Sequence, residues 1–252
     1  VALWLGLPCA WADSEALIAV LAFRDKAETE RRWQPTADYL SEALPGHRFR
    51  VVALSLAEMQ QDFAGTSPDF VLAQPTLFLE LHHRQPLIRL ATLVGPEQNG
   101  GRFGGVILVD AQRSDLNTLA DLKGKRLAAV SHGSLGAYQA QAHALLMAGV
   151  DIQKEATLHF TDTPQDRTIA ALLAGQVDAA FVRTGVFEAM LREGKLAPGR
   201  LKVLAPRQEP GFSQALSTRL YPEWPFAARA HVPEALQKAV AQALLAKPAD
   251  HP

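Results

Sequence analysis

The hydrophobic period switches between that of a strand and that of a helix along almost the whole chain, and this alternation limits the fold more than any other feature. Leu17–Phe23 (LIAVLAF) reads as a short buried strand, Glu28–Leu44 as a helix stopped by Pro45-Gly46, and Phe49–Leu54 as a second strand. A short helix near Ser55–Phe63 follows, then a strand at Phe70–Ala73, a helix at Thr76–His83 and a strand at Leu87–Leu93. This βαβαβαβ run predicts a parallel sheet with helices on its faces. Gly95–Gly105 holds five glycines and a proline and reads as a loop between two units. Strands at Val106–Val109, Arg126–Val130, Ala156–Phe160 and Val177–Val182 then alternate with helices at Ser134–Ala148, Gln165–Ala174 and Thr184–Glu193. Leu201–Leu204 reads as a strand and Pro233–Leu245 as an amphipathic closing helix.

Two α/β units therefore fill the 252 residues, with a last segment of about 50 residues that is too small to fold alone. The formal charge of −1 leaves no basic excess to hold a phosphate backbone, so nucleic acid is not an expected partner. No internal stretch approaches the roughly 20 apolar residues of a membrane span. Val1–Ala12 (VALWLGLPCAWA) is uncharged and ends in an A-x-A pattern, the mark of a signal-peptide remnant and of export. It holds Cys9, the only cysteine. Pro8 argues against a lipid anchor there, and a mature chain without cysteine has no disulfide and no thiol nucleophile.

Signatures of catalysis are missing: no G-x-S-x-G, no G-x-x-x-x-G-K-[ST], no H-E-x-x-H and no G-x-G-x-x-G after a strand. His82-His83 is a poor chelate, because neighbours on a helix point about 100° apart. The expectation is a binding protein with no metal and no cofactor. The donors that stand out lie where strands end and helices begin. Ser131 and Ser134 flank a Ser/Gly loop before a helix, a place where an anion can meet unpaired N–H groups or where an ordinary N-cap sits. Thr161–Asp166 repeats the pattern, with Thr163 and Pro164 as expected N-cap and first helical residue and Gln165 next to them. Arg183, followed by Thr184, emerges after four apolar residues and can grip an oxyanion through both arms of its guanidinium, or pair with Glu188 or Asp166. Its removal is expected to abolish anion binding and leave the fold intact. Arg24, Gln74 and Thr76 occupy matching strand ends in the first unit, with Phe78 as a wall.

These residues resemble the phosphonate/phosphite-binding branch of the type 2 periplasmic solute-binding proteins. The likeness starts at D-L-K-G-K-R-L-A (Asp121–Ala128) before the Ser/Gly loop and covers nearly the whole mature chain. A Ser-His pair that opens a helix in that branch matches Pro164 and Gln165 here, and its G-P-x-x-Y phrase matches Gln74–Phe78, both with departures. The departure at Gln165 puts a phosphonate in doubt. RWQPTADYL (Arg32–Leu40), FGGVILVDAQRSDL (Phe103–Leu116), VDAAFVRTGVFE (Val177–Glu188) and STRLYPEWPFAA (Ser217–Ala228) are similar to ectodomains of bacterial sensor histidine kinases, tetrathionate sensors included.

The resemblance implies a two-lobed α/β fold with two hinge crossings, each lobe a mainly parallel sheet flanked by helices. Lobe one would take residues 13–102 and 197–252, and lobe two 103–196. It implies that Ser217–Pro222 re-enters lobe one beside the hinge, and that Trp33 and Trp224 are structural plugs. It further implies a small anionic ligand, phosphonate- or phosphate-like or a sulfur oxyanion, held in the periplasm between the lobes. The expected partner is a transmembrane kinase module in the same chain, tethered through a segment after residue 252, or alternatively an ABC permease.

Overall fold

The computed structural model describes residues 14–94 and 100–248. The expected leader at residues 1–12, Cys9 and residues 95–99 of the glycine-rich loop lie outside them. The chain begins with β1 (Ser14–Leu21), α1 (Lys26–Ala43), β2 (His47–Leu54), α2 (Leu56–Gln60), β3 (Phe70–Leu72), α3 (Pro75–Arg84) and β4 (Leu87–Thr92). It continues with β5 (Arg102–Phe103), β6 (Gly105–Asp110), β7 (Arg126–Ala129), α4 (Ala140–Met147), α5 (Ile152–Glu155), β8 (Thr157–Phe160), α6 (Asp166–Leu173), β9 (Ala179–Arg183) and α7 (Val186–Arg192). β10 (Leu201–Val203), β11 (Tyr221–Pro222), β12 (Pro225–Arg229) and α8 (Glu234–Ala246) complete it.

Two five-stranded sheets result, in the orders β2-β1-β3-β12-β4 and β10-β6-β9-β7-β8. β1 pairs parallel with β2 and β3, while β12 lies antiparallel between β3 and β4. The sheet is thus parallel except for one strand arriving from the far end of the chain. In the second sheet β7, β8 and β9 are parallel and β6 runs against β9. The counter-running strand of each sheet, β6 or β12, is the one that follows a crossing between lobes. β10 pairs antiparallel with β6, so the chain stays in the second sheet past residue 197, where the return to lobe one was expected. The reason is local. Leu201 is buried and extends the apolar face of β6.

β12 is fastened by aromatic packing. Phe226 stacks on Phe70 with ring centroids 5.6 Å apart, and Phe70 in turn meets Phe49 at 5.8 Å. Each buried phenylalanine contributes about 1.5–3 kcal/mol by area. The crossings are secured by hydroxyls rather than by apolar surface. The Gly105 N–H donates to Thr218 Oγ1 (2.9 Å) and the Ile107 N–H to Ser217 Oγ (3.0 Å), while the Ser217 hydroxyl donates to the Leu204 carbonyl (2.8 Å). Pairing of β5 with β11 then ties one crossing to the other. The segment Ser217–Pro222, from the phrase singled out in the sequence, supplies both hydroxyls and β11 to these contacts.

Gly105 faces the fully buried Gln141, whose amide donates to the carbonyls of Gly136 (2.8 Å) and Val182 (3.0 Å). A β-carbon at Gly105 would stand 2.3 Å from Gln141 Nε2. Gly105→Ala is expected to cost about 1–3 kcal/mol through this overpacking, read by urea denaturation. A variant as stable as the parent would show that Gln141 can move freely.

Candidate functional site

The lobes meet at several points. β1 ends at Leu21, and two residues on the Phe23 carbonyl accepts the Gln165 N–H from lobe two (3.0 Å). Arg24, with a side chain 9% exposed, forms a double clamp on lobe two. Its Nε and Nη2 donate to Asp166 at 2.8 and 2.7 Å, and its Nη1 and Nη2 donate to Glu193 at 2.6 and 2.9 Å. The guanidinium holds both carboxyls below their ordinary range, Glu193 at about 2 with help from Lys195. At the other end of the interface, Gln74 Nε2 donates to the Gly133 carbonyl (2.9 Å) and Thr76 Oγ1 meets Gln139 Oε1 (2.9 Å).

Beside the Arg24 clamp lies a cavity of about 160 Å³, where a single water needs roughly 10–15 Å³ on the same measure. There is room for a polyatomic ligand. α1 positions one wall. Asp25 caps it by accepting the Glu28 N–H (2.9 Å), and Thr29, Ala37 and Leu40 form its buried stripe, with Trp33 packed against the same core. That register brings Arg32 and Trp33 to the cavity. The end of β9 and the start of α7 supply Arg183, Thr184 and Gly185 opposite, and the second crossing supplies Glu223 and Trp224.

Arg183 is held on this wall from several sides. Its backbone N–H donates to Gln165 Oε1 (2.9 Å), and its Nη2 donates to Glu223 at 2.5 Å. The guanidinium carbon lies 4.8 Å from the Phe103 ring centroid, 5.3 Å from Phe23 and 5.6 Å from Trp224, an aromatic enclosure that favours a delocalised cation. Its partner is Glu223 rather than Glu188 or Asp166, because Glu188 accepts the Ala215 N–H and Asp166 is taken by Arg24. Arg32 makes no hydrogen bond or ion pair among the described residues. Desolvation, then the Arg183 charge, lowers its pKa, and the smaller effects of the Glu28 and Glu223 carboxylates oppose this.

The sequence-derived site residues therefore separate. Arg24, Arg183 and Thr184 line the cavity. Thr184 is fully buried, and its hydroxyl accepts the Gly104 N–H at 3.2 Å. Gln74, Thr76, Phe78, Ser131, Ser134 and Gln165 are not part of its lining. Gln74 and Thr76 bridge the lobes, Phe78 stacks on His82 at 5.9 Å, and Gln165 orients the Arg183 backbone. Ser134 precedes a π turn at Leu135–Gln139 without a side-chain cap, and Ser131 Oγ is buried without a partner. The turn precedes α4, so the long helix expected over Ser134–Ala148 is interrupted. α6 starts at Asp166, after a cis Thr163–Pro164 bond, so Thr163 and Pro164 do not cap it. Trp33 and Trp224, expected as structural plugs, both line the cavity. Arg32 and Glu223 also line the cavity and were not among the expected residues, although each stands beside a tryptophan in Arg32-Trp33 and Glu223-Trp224.

Comparison with known proteins fits this geometry. Residues 18–250 match the family model described as the periplasmic substrate-binding protein of phosphonate ABC transporters. The chain belongs to this family. The phosphonate-binding family and its structural neighbours are solute-binding proteins rather than enzymes. Among curated relatives, the tetrathionate sensor histidine kinase TtrS of Salmonella typhimurium is 35% identical over 250 residues, 97% of this chain and 42% of that protein. The chain thus spans about two-fifths of the length of that relative. Among solved structures, PhnD1 from Prochlorococcus marinus in complex with methylphosphonate superposes with a TM-score of 0.72 at 18% identity, covering 94% of this chain and 87% of that one. The alkanesulfonate-binding protein SsuA from Xanthomonas axonopodis pv. citri bound to MOPS gives 0.59 at 20% identity, covering 91% and 70%. At these identities the likeness shows a shared fold. Among the described residues no helix is long and apolar enough to cross a membrane, and no group of three or more His, Cys, Asp or Glu could hold a metal ion.

Proposed function

We propose that this phosphonate-family domain closes on a small oxyanion between its lobes and serves as the periplasmic sensing domain of a histidine kinase. The observation that carries the reading is the interlobe cavity, lined by four arginines against two glutamates. Guanidinium groups already fixed by aromatic and backbone contacts stabilise an anion with little reorganisation. A ligand touching both lobes favours the closed state by its differential affinity for that state. In this reading lobe one is built around the first sheet, lobe two around the second, and the paired crossings form the hinge. The sensor role is supported by the kinase relative, and sulfur oxyanions enter the ligand class through the same relative and the sulfonate-binding neighbour.

The test is a thermal-shift screen of phosphate, methylphosphonate, sulfate, thiosulfate, tetrathionate and small dicarboxylates. A ligand present at about 100 times its Kd is expected to stabilise the domain by roughly 2.7 kcal/mol. No shift with any oxyanion would defeat the reading. For the sensor role, the full-length protein in vesicles is expected to change its autophosphorylation rate when the binding anion is added. The family description supports a second reading, the binding component of an ABC transporter. A ligand-dependent rise in permease ATPase activity, with no kinase response, would establish that one instead.

A further inference from the structure

One arginine of the cavity wall already holds an anion that belongs to the protein, since Arg183 Nη2 donates to Glu223 Oε1 at 2.5 Å. Both residues line the cavity, and of its two glutamates Glu223 is the buried one, while Glu28 is partly exposed. The grip is a single bond rather than a fork. The other carboxylate oxygen of Glu223 takes only a long contact from the Trp224 N–H (3.3 Å), and Arg183 Nη1 donates to the Thr184 carbonyl at 3.2 Å. A guanidinium facing an oxyanion squarely forms two parallel bonds, which are stronger. Neither backbone is free to withdraw. The Glu223 N–H donates to the Gly101 carbonyl (2.7 Å) on the other crossing, and the Arg183 N–H donates to Gln165 Oε1.

We propose that Glu223 is a built-in competitor for the ligand at Arg183, and that its charge determines which anions the cleft holds. The proposal rests on the oxyanion reading given above and adds to it a residue that works against binding. In the empty domain the carboxylate neutralises Arg183, which otherwise is a buried charge without a counterion. An oxyanion that reaches Arg183 either takes the guanidinium from Glu223 or shares it. In both cases it meets a negative charge that water screens poorly. A forked ligand can still win, because the protein's own anion is held by one bond. The repulsion grows with the charge of the ligand, so Glu223 biases the cleft toward singly charged head groups over doubly charged ones of the same shape. Phe23, Phe103 and Trp224 surround the guanidinium and keep it in place while its partner changes.

The test is calorimetric titration of the domain and its Glu223→Gln and Glu223→Asp variants with sulfate, methanesulfonate, phosphate and tetrathionate. Glutamine keeps the shape and an oxygen for Arg183 Nη2 but removes the charge. Each of these anions that binds the parent is expected to bind Glu223→Gln about 10-fold tighter or more. The gain should be larger for sulfate than for methanesulfonate, which share a tetrahedral head and differ in charge. Glu223→Asp draws the charge back by one methylene and should lie between parent and Glu223→Gln. Equal or weaker binding by Glu223→Gln would overturn the proposal, leaving Glu223 as a support for Arg183 and the oxyanion reading intact. A gain as large for methanesulfonate as for sulfate would overturn the charge bias. If Glu223→Gln does not fold, Glu223→Asp decides, and binding no tighter than the parent's overturns the proposal. Failure of all four anions to bind the parent and both variants would bring down the oxyanion reading as well.

Discussion

Arg183→Ala is expected to destabilise the unliganded domain by about 3–5 kcal/mol, the cost of leaving one partner of a buried ion pair behind. The side chain of Glu223 is 7% exposed, and that of Arg183 is 14%. Once the guanidinium is gone, the carboxylate next to Trp224 loses its bonded counterion and keeps a long contact from the Trp224 N–H (3.3 Å), the charge of Arg32 and the cavity it lines. The three rings around the guanidinium also lose a contact, and a space opens at the end of β9. The sequence suggested instead that this substitution would silence binding and spare the fold. That expectation placed Arg183 at the sheet edge with Glu188 or Asp166 as its alternative partner, and the buried pairing with Glu223 argues against sparing the fold. Loss of anion binding in Arg183→Ala would therefore say little about ligand contact. The informative comparison is Arg183→Ala with Glu223→Gln added, which is expected to regain most of the lost stability because a neutral amide is far cheaper to bury. Urea denaturation of the two variants checks this. Arg183→Ala unfolding within about 0.5 kcal/mol of the parent would mean that the pair contributes no more than an exposed one.

The regular elements with long periodic patterns were legible in the sequence. The stripe of α1, the apolar run of β1 and the Val/Ile/Leu run of β6 set their own type, since each buries a continuous face. What local pattern could not give was pairing across the chain. β12 is only five residues, opens with Pro225 and contains two alanines, so it carries little strand signal of its own. Its identity comes from Phe226 finding Phe70 over 150 residues away. The same limit applies to the site. A polar residue at a strand end can face a ligand, the other lobe or its own backbone, and the sequence looks alike in each case. Gln74, Thr76 and Gln165 turned toward protein because Gly133, Gln139 and the Arg183 N–H stand within reach. Arg32 was hidden for the opposite reason, since a charged residue in a charged helix reads as solvated surface. Only the placement of Trp33 and Arg183 around the same cavity distinguishes it.

Removing the clamp at Arg24 is expected to open the molecule rather than unfold it. Arg24→Ala deletes four charge-assisted hydrogen bonds that join the end of β1 to α6 and to Glu193 just beyond α7. Truncating one member of a buried, hydrogen-bonded charge cluster costs about 2–5 kcal/mol, and the low end applies here because the Asp166 and Glu193 side chains are 24% and 32% exposed. Here the stranded carboxylates are already partly hydrated, and separation of the lobes hydrates them fully. Lys195, 2.8 Å from Glu193 and 3.5 Å from Asp166, reduces their repulsion but lies on their own lobe and cannot hold the cleft shut. The closed fraction should therefore fall by at least about 30-fold relative to the open one, at 1.4 kcal/mol per tenfold change. Affinity for any ligand that needs the closed form would fall with it. Energy transfer between dyes on the two lobes, with small-angle scattering as a check, reads the opening directly. The pH response has a definite sign. Arg24 depresses the pKa of both Asp166 and Glu193, Glu193 to about 2, so their contribution is complete above the ordinary carboxylate range near pH 4. It is lost only as the pH falls through that range toward about 2. The parent should thus show constant closure between pH 5 and 8 and open in acid, while Arg24→Ala is open throughout. An Arg24→Ala protein as compact as the parent at neutral pH would mean that the Gln74–Gly133 and Phe23–Gln165 contacts hold the lobes together without the clamp.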